Sequence, residues 1–228
     1  LPAILHKLLD QGGNFAATSL GYHDTEEILG KALRGRRKDA ILFTSPDPPK
    51  DDVPTIMGRC ELSLKHFQTD YIDCYFSHGN WSEAFYEAAV KLRQQGKIRF
   101  IGLSCHVPAE HLARVEADQV DFVFQPYNYM ALAKWTERFN RNDVEALFAR
   151  CKQKDIGVIG MKPMTGHFVP NWAKDASNPL VVRLLKELQE FGKTNLCQAF
   201  LMWVLKNPNV CCAAVGMRKV NDVLENIG

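Results

Sequence analysis

The chain contains the segment Ala40-Ile41-Leu42-Phe43, four apolar residues in succession that lead into Thr44 and Ser45. Strands that are covered on both faces are apolar at successive positions, whereas half-exposed antiparallel strands alternate apolar and polar residues. The segment Gly157-Val158-Ile159-Gly160-Met161 has the same character. Both segments therefore predict strands of a parallel sheet with both faces buried.

Segments of this kind recur along the whole chain, separated by longer stretches with helical periodicity. In Thr25–Leu33 the apolar residues fall on one helical face, and Val53–Phe67 repeats the pattern. Regular alternation of strands and helices favours parallel strands joined by crossover helices. The strands are predicted at Asn14–Ser19, Ala40–Ser45, Tyr71–His78, Ile98–Cys105, Phe122–Tyr127, Gly157–Pro163 and Cys211–Gly216.

These seven strands are one fewer than a closed (β/α)8 barrel requires. The chain opens on a predicted helix, Pro2–Leu9, rather than on a strand. Its 228 residues suit one large domain, since α/β barrels run past about 200 residues without dividing. We therefore expect a single α/β domain over residues 1–228, a (β/α)8 TIM barrel that lacks its first strand in this chain.

Charge and apolar content narrow the classes of function. Lys and Arg number 28 against 26 Asp and Glu, and a net charge of +2 gives no reason to expect a nucleic acid or an anionic membrane as partner. No apolar run approaches the ~18 residues that cross a bilayer. The seven cysteines are scattered without a C-x-x-C pair. This excludes a zinc-finger spacing and a disulfide framework, and it favours free thiols in a cytoplasmic protein.

A characteristic set of side chains stands where the predicted strands end. In a parallel barrel these ends meet at one face, which carries the reactive groups of barrel enzymes. We expect a functional site there, with specificity contributed by two long polar connections, Met130–Asn142 and His167–Asn178. A metal site is not expected, because His106 and His111 are spaced wrongly to share a helical face. The strand-end residues are Thr18, Tyr22, Ser45, His78, Ser104, Cys105, His106, Gln125, Asn128, Lys162, Gly216 and Arg218.

Six groups of residues follow one another in a fixed order over most of the chain. They are Gly13-Asn14-Phe15 with Tyr22, Glu26 to Leu33, Asp70-Tyr71-Ile72-Asp73 with His78, Gly96 to Arg99 with Ile101 to Ser104, Gln125 with Tyr127-Asn128, and Gly216-Met217-Arg218 with Glu225-Asn226. The order and spacing of these segments resemble the aldo-keto reductase superfamily. The motifs Ser104-Cys105-His106 and Met161-Lys162-Pro163 are similar to a bacterial and archaeal branch of that family, some members of which carry a C-terminal iron–sulfur segment. These 228 residues contain no cysteine cluster that would bind an iron–sulfur cluster.

The resemblance implies an oxidoreductase that reduces a small carbonyl substrate by hydride transfer from NADPH. Tyr22 and His78 match the proton-donating tyrosine and the histidine of the family's active site. His106 falls in the substrate pocket, and Cys105 stands where the family usually has an asparagine that binds the nicotinamide amide. The implied cofactor contacts are Ser104 and Gln125 at the nicotinamide, Lys162 near the phosphates, and Gly216, Met217, Arg218, Glu225 and Asn226 at the adenosine-phosphate end.

Two of the four residues that the family shares at its active site are replaced here. Ala17 occupies the position of an aspartate and Ser45 that of a lysine, whose ammonium group lowers the pKa of a tyrosine from its ordinary value of about 10. Since that aspartate and lysine form an ion pair, their joint loss leaves no lone buried charge. The replacements predict slow turnover, a different proton donor, or Lys162 as a substitute cation. The alternative is a nucleotide-binding pseudoenzyme or regulatory subunit without turnover.

Overall fold

The computed structural model describes residues 1–47, 51–130, 140–164, 175–192 and 195–227, which form a sheet of seven parallel strands. The strands pair in sequence order, and each lies within a segment predicted from the sequence, so the β/α alternation is confirmed. Most of the two predicted specificity connections, residues 131–139 and 165–174, lies outside the described residues. The strands are β1 (Phe15–Ala17), β2 (Ile41–Thr44), β3 (Ile72–His78), β4 (Ile98–Ser104), β5 (Phe122–Pro126), β6 (Gly157–Met161) and β7 (Cys212–Ala214).

Helices alternate with the strands and pack on the outside of the sheet. Asp52 begins α3 by accepting a hydrogen bond from the backbone N–H of Thr55 at 2.8 Å, and Ser82 begins α4 by accepting one from Phe85 at 3.0 Å. Such caps fix where the helices begin. No helix in the described ranges is both long and apolar enough to cross a membrane. The helices are α1 (Pro2–Asp10), α2 (Thr25–Ala32), α3 (Val53–Phe67), α4 (Glu83–Gln94), α5 (Pro108–Glu116), α6 (Arg141–Gln153), α7 (Pro179–Glu187), α8 (Leu196–Leu205) and α9 (Val220–Ile227).

Alternate strand residues fill the inside of the barrel with aromatic rings. The ring of Phe43 lies 4.4 Å from that of Phe15 and 5.6 Å from that of Phe124, measured between centroids. Gly102 leaves the space that Phe122 needs, because a Cβ atom at position 102 would lie 2.3 Å from that ring. Aromatic side chains therefore fill much of the barrel interior below the strand ends, and the polar residues predicted for the site lie above them at the mouth.

Between β1 and β7 the ring of strands stays open in the described part of the chain, since neither strand pairs along its outer edge. A first strand takes this place in a (β/α)8 barrel, so the predicted fold, a barrel without that strand, is confirmed. A cavity of about 1580 Å³ runs inside the barrel and reaches the opening, where Leu5 and Leu8 of α1 and Leu201 and Leu205 of α8 line it.

The end of the barrel opposite the strand exits is held by a buried carboxylate. Asp73 of β3 is 3% exposed and accepts hydrogen bonds from Arg37 at 2.7 Å and Arg99 at 2.9 Å. It also accepts one from the backbone N–H of Leu42 at 3.0 Å. Because a buried charge is tolerated only when it is paired, this cluster ties β2, β3 and β4 together.

Candidate active site

The carboxyl ends of β3 and β4 bring two of the predicted site residues side by side. His78 ends β3, Ser104 ends β4, and the two are register partners in the parallel ladder. Both line the cavity, as do Thr18 and Tyr22 on the connection that follows β1. The mouth of the barrel thus gathers Tyr22, His78 and Ser104, which the sequence assigned to a shared site.

Tyr22 and His78 approach each other edge to face. Their ring centroids lie 6.2 Å apart and the ring planes meet at 89°. The backbone N–H of Tyr22 donates to the carbonyl oxygen of Ser19 at 2.9 Å, which closes a turn over residues 19–22. This turn sets the position of Tyr22, whose side chain remains about half exposed.

A chain of polar groups that ends at Asp47 lies behind the two rings. The Ser45 hydroxyl donates to Oγ of Ser19 at 2.9 Å, and the Ser19 hydroxyl donates to Oδ2 of Asp47 at 3.3 Å. That oxygen lies 3.5 Å from Nδ1 of His78. A Cβ atom on Gly21 would come within 2.7 Å of the same oxygen, so the glycine allows the carboxylate to approach. Asp47 is not among the cavity-lining residues, so it meets the cavity through His78 and Ser19 rather than directly.

The carboxylate of Asp47 acts on Tyr22 in the opposite sense to an ammonium group. Partial burial raises the pKa of Tyr22 above its ordinary value, and the negative charge of Asp47 raises this pKa further. A phenol with a higher pKa gives up its proton less readily. The surroundings of Tyr22 therefore make it a weaker proton donor than a tyrosine beside a lysine.

On another part of the rim, Lys162 lies against His106. Nζ of Lys162 is 2.7 Å from Nε2 of His106, and both residues line the cavity. Lys162 has a φ of 59°, a left-handed conformation that is uncommon outside glycine. An ammonium group at this position suits an anionic ligand such as a phosphate. Cys105 precedes His106 in the chain, and burial raises the pKa of its thiol to about 11, so this thiol stays protonated at neutral pH.

The described residues contain no group of three or more His, Cys, Asp or Glu side chains placed to hold a metal ion. None of the seven cysteines, all of which lie in described ranges, forms a disulfide.

Nearly the whole sequence matches a known family. A sequence model of the aldo/keto reductase family covers residues 2–228. The chain belongs to the aldo/keto reductase family.

Individual relatives in sequence and structure agree with this membership. The L-galactose dehydrogenase of Arabidopsis thaliana is 28% identical over an alignment of 246 positions, gaps included, that covers 95% of this chain and 73% of that protein. An aldo-keto reductase from Klebsiella pneumoniae in complex with NADPH superposes with a TM-score of 0.79 at 22% identity, covering 99% of this chain and 77% of that chain. An aldo-keto reductase from Bacillus halodurans in its holo form gives a TM-score of 0.75 at 23% identity, covering 99% and 80% respectively. These structures share the barrel fold of this chain.

Gln125, expected at the nicotinamide of this aldo/keto reductase, does not join the other residues at the mouth. Its strand neighbours Phe122 and Phe124 line the cavity, whereas Gln125 is fully buried and is not among the lining residues. Its amide nitrogen donates to the carbonyl oxygen of Pro126 at 3.4 Å, and its Oε1 has no hydrogen-bond partner among the described residues. Because side chains alternate along a strand, the inward position of Phe124 turns Gln125 to the other face.

Of the residues expected at the adenosine-phosphate end of the cofactor, some line the cavity and others do not. Gly216, Met217 and Asn226 line the cavity, whereas Arg218 and Glu225 do not. Glu225 accepts a hydrogen bond from the side chain of Asn221 at 2.6 Å.

The backbone amides at the start of α9, beside the expected phosphate contact Arg218, are already occupied. Oδ2 of Asp222 accepts hydrogen bonds from the backbone N–H of Arg218 at 2.8 Å and of Lys219 at 3.0 Å. A phosphate at this position would have to displace that carboxylate.

Sequence reasoning overlooked Asp47 and Ser19. The family pattern directs attention to positions 17 and 45, where this reductase has alanine and serine. Asp47 stands two residues beyond Ser45, and its carboxylate comes close to His78 because β2 and β3 are neighbouring parallel strands that end on the same side. The position of Asp47 shortly after the end of β2 could have identified it, because residues that follow strand ends of a parallel barrel lie at the reactive face.

Proposed function

We propose that this chain is an NAD(P)H-dependent oxidoreductase that reduces a small carbonyl compound by hydride transfer, with two of the family's shared active-site residues replaced. The observation that carries the proposal is the convergence of Tyr22, His78 and Ser104 on one cavity mouth in an aldo/keto reductase barrel. The relatives named as a dehydrogenase and as a reductase solved with NADPH support it.

The residues at the mouth fit a nicotinamide cofactor. The hydroxyl of Thr18 is buried against the cavity and has no hydrogen-bond partner among the described residues, so it offers an unsatisfied polar atom to a ligand. Ser104 would hold the nicotinamide amide, and Lys162 would pair with a phosphate. When bound, the cofactor supplies the hydride. Tyr22, His78 and His106 would face the carbonyl compound and orient it.

The adenosine-phosphate part of the cofactor would extend toward Gly216, Met217 and Asn226, which line the same cavity. Arg218 and Glu225 would contact it after their side chains move from the positions described above. Gln125 would reach the nicotinamide only after its side chain turns across the strand.

Three further parts of the proposal follow from the sequence. Residues 1–228 would form one barrel domain, and Ser104-Cys105-His106 with Met161-Lys162-Pro163 would place it in the branch that includes iron–sulfur proteins, without a cluster in this chain. The protein would be cytoplasmic, since its thiols outside disulfides suit a reducing compartment.

The second candidate is a nucleotide-binding pseudoenzyme or regulatory subunit. The raised pKa of Tyr22 favours it, because neither Ala17 nor Ser45 supplies a charge that would counter Asp47.

A binding and turnover experiment separates the two candidates. NADPH would be titrated against tryptophan fluorescence, and its consumption would then be followed with a panel of aldehydes and ketones. Binding with turnover supports the oxidoreductase, binding without turnover for any compound supports the pseudoenzyme, and absence of binding contradicts both.

A pair of lysine variants localises the cofactor. Lys162→Met is expected to weaken NADPH binding about tenfold, the effect of losing one hydrogen bond to a charged group. Lys38→Met is the matched control, because Lys38 is exposed in the single turn before β2, at the far end of the barrel. Equal effects of the two substitutions would contradict a phosphate site at Lys162.

A further inference from the structure

Asp47 is a charged group at the mouth that the family pattern does not include. Its Oδ2 atom accepts a hydrogen bond from Ser19, and Ser19 is in turn held by the fully buried Ser45. The two serines that fill the space near the replaced ion pair therefore fix the carboxylate in place. The substitution of Ser for Lys at position 45 thus removes a positive charge and helps to anchor a negative one.

The carboxylate of Asp47 lies beside the edge of the His78 ring that carries Nδ1. Nδ1 of His78 lies 3.5 Å from Oδ2 of Asp47, an ion-pair contact somewhat longer than a normal hydrogen bond, and His78 lines the cavity. Nε2 is the ring nitrogen farther from Asp47, and we assign it to the substrate. A carboxylate at one ring nitrogen selects the tautomer and the orientation of an imidazole, and it balances the charge of the imidazolium form.

We infer that His78, positioned by Asp47, delivers the proton to the carbonyl oxygen, and that Tyr22 serves as a substrate contact. The inference rests on the proposed carbonyl reduction. Asp47 is a positioning residue, because it touches the imidazole and not the substrate. In the family, the lysine promotes proton delivery by lowering the pKa of the tyrosine. Here the lysine is replaced by Ser45, and His78 with Asp47 would deliver the proton instead.

The step balances in atoms and charge. A C–H bond of the reduced nicotinamide would break and supply the hydride for the new C–H bond of the substrate, so the carbonyl would be reduced to an alcohol while NADPH would be oxidised to NADP⁺. The proton on Nε2 of His78 passes to the carbonyl oxygen and forms the O–H bond. The imidazolium becomes a neutral imidazole and regains its proton from solvent before the next turnover.

Turnover of three variants tests this assignment. His78→Ala is expected to lower kcat by about 100-fold or more, the usual contribution of a general acid, and added imidazole is expected to restore part of the rate. Asp47→Asn is expected to lower kcat by about 10- to 100-fold with NADPH affinity unchanged, and Asp47→Glu to retain more activity than Asp47→Asn. Tyr22→Phe is expected to cost about tenfold or less, the loss of one hydrogen bond.

The matched control for Asp47 is Asp24→Asn. Asp24 is an exposed carboxylate on the same side of the barrel and makes no side-chain hydrogen bond to α2, which it precedes. The same charge is removed, and kcat is expected to stay within about twofold of the wild-type value. His78→Gln serves as a second variant if His78→Ala fails to fold.

A readout without cofactor or substrate checks the positioning directly. Nitrogen-15 NMR spectra of histidine-labelled protein are expected to show His78 with its proton on Nδ1 when neutral, and a mixture of tautomers in Asp47→Asn. An unchanged His78 spectrum in Asp47→Asn would overturn the role of Asp47.

The outcomes separate this inference from the proposed function. Wild-type protein that binds NADPH and reduces no carbonyl would refute the proposed function and the inference together. Wild-type turnover that Tyr22→Phe abolishes, and that Asp47→Asn leaves within about twofold, would refute the inference alone.

Discussion

Placing an aspartate at position 17 and a lysine at position 45 together tests our proposal that Ala17 and Ser45 replace the family's ion pair and limit turnover. Ala17 is the register partner of Phe43, and Ser45 stands two residues beyond Phe43. Ala17→Asp and Ser45→Lys would therefore put opposite charges on the same face of adjacent strands. The new ammonium group would lie near Asp47 and offset the negative charge that raises the pKa of Tyr22.

The structure sets the size of the expected effects. Ser45 is fully buried, so Ser45→Lys alone introduces a poorly compensated charge and breaks the 2.9 Å hydrogen bond to Ser19. We expect the free energy of unfolding to fall by about 3 kcal/mol in this single variant. Adding Ala17→Asp should recover most of that loss. In the double variant kcat should rise about tenfold or more, because Tyr22 beside a lysine would then deliver the proton alongside His78.

Urea unfolding gives the stabilities, and NADPH consumption with one fixed carbonyl substrate gives kcat. Ser45→Met is the matched control, since it fills a similar volume without a charge and should not raise kcat. A double variant that is as stable as the wild type, binds NADPH and turns over no faster would show that Ala17 and Ser45 do not limit the rate.

Three further predictions concern stability. Burial lowers the pKa of His111 from 6.5 to about 4. Between these two pH values the unfolded chain binds a proton at His111 that the native chain does not bind. The free energy of unfolding therefore falls by about 3 kcal/mol as the pH drops from 6.5 to 4. His111→Leu should remove that part of the pH dependence in urea unfolding, and an unchanged dependence would contradict the assignment. Asp73→Asn should cost about 3–5 kcal/mol, because Arg37 loses a buried partner, and a loss below about 1 kcal/mol would show that the cluster does not hold the strands. Gly30→Ala should lower the melting temperature, because a Cβ atom there would lie 2.4 Å from the backbone oxygen of His66; overpacking of this kind costs about 1–3 kcal/mol, and an unchanged melting temperature would mean that α2 and α3 separate freely.

The strands could be predicted from the sequence because their apolar runs are a direct consequence of burial on both faces. β3 illustrates this, since six of its seven residues are buried. Amphipathic helices such as α3, which have one apolar and one polar face, were also predicted. The sequence analysis did not identify α8 (Leu196–Leu205), because this helix is apolar on most sides and has little amphipathic periodicity.

The candidate site could be predicted only in part. Tyr22, His78 and Ser104 follow from strand ends, which are visible in the sequence. The direction of Gln125 depends on the inward position of Phe124, and the occupied amides of α9 depend on Asp222. Both are properties of packing that no local pattern contains. The proximity of Asp47 to His78 likewise arises from the path of the chain after β2.

A crystal structure of the chain grown with NADPH would locate the cofactor relative to these side chains. We expect the nicotinamide ring at the mouth of the barrel, with its amide at Ser104 and its reactive carbon facing a space bordered by Tyr22 and His78, where a carbonyl carbon can approach to about 3.5 Å. A cofactor bound at the opposite rim or outside the barrel, with Tyr22, His78 and Ser104 facing solvent, would contradict it.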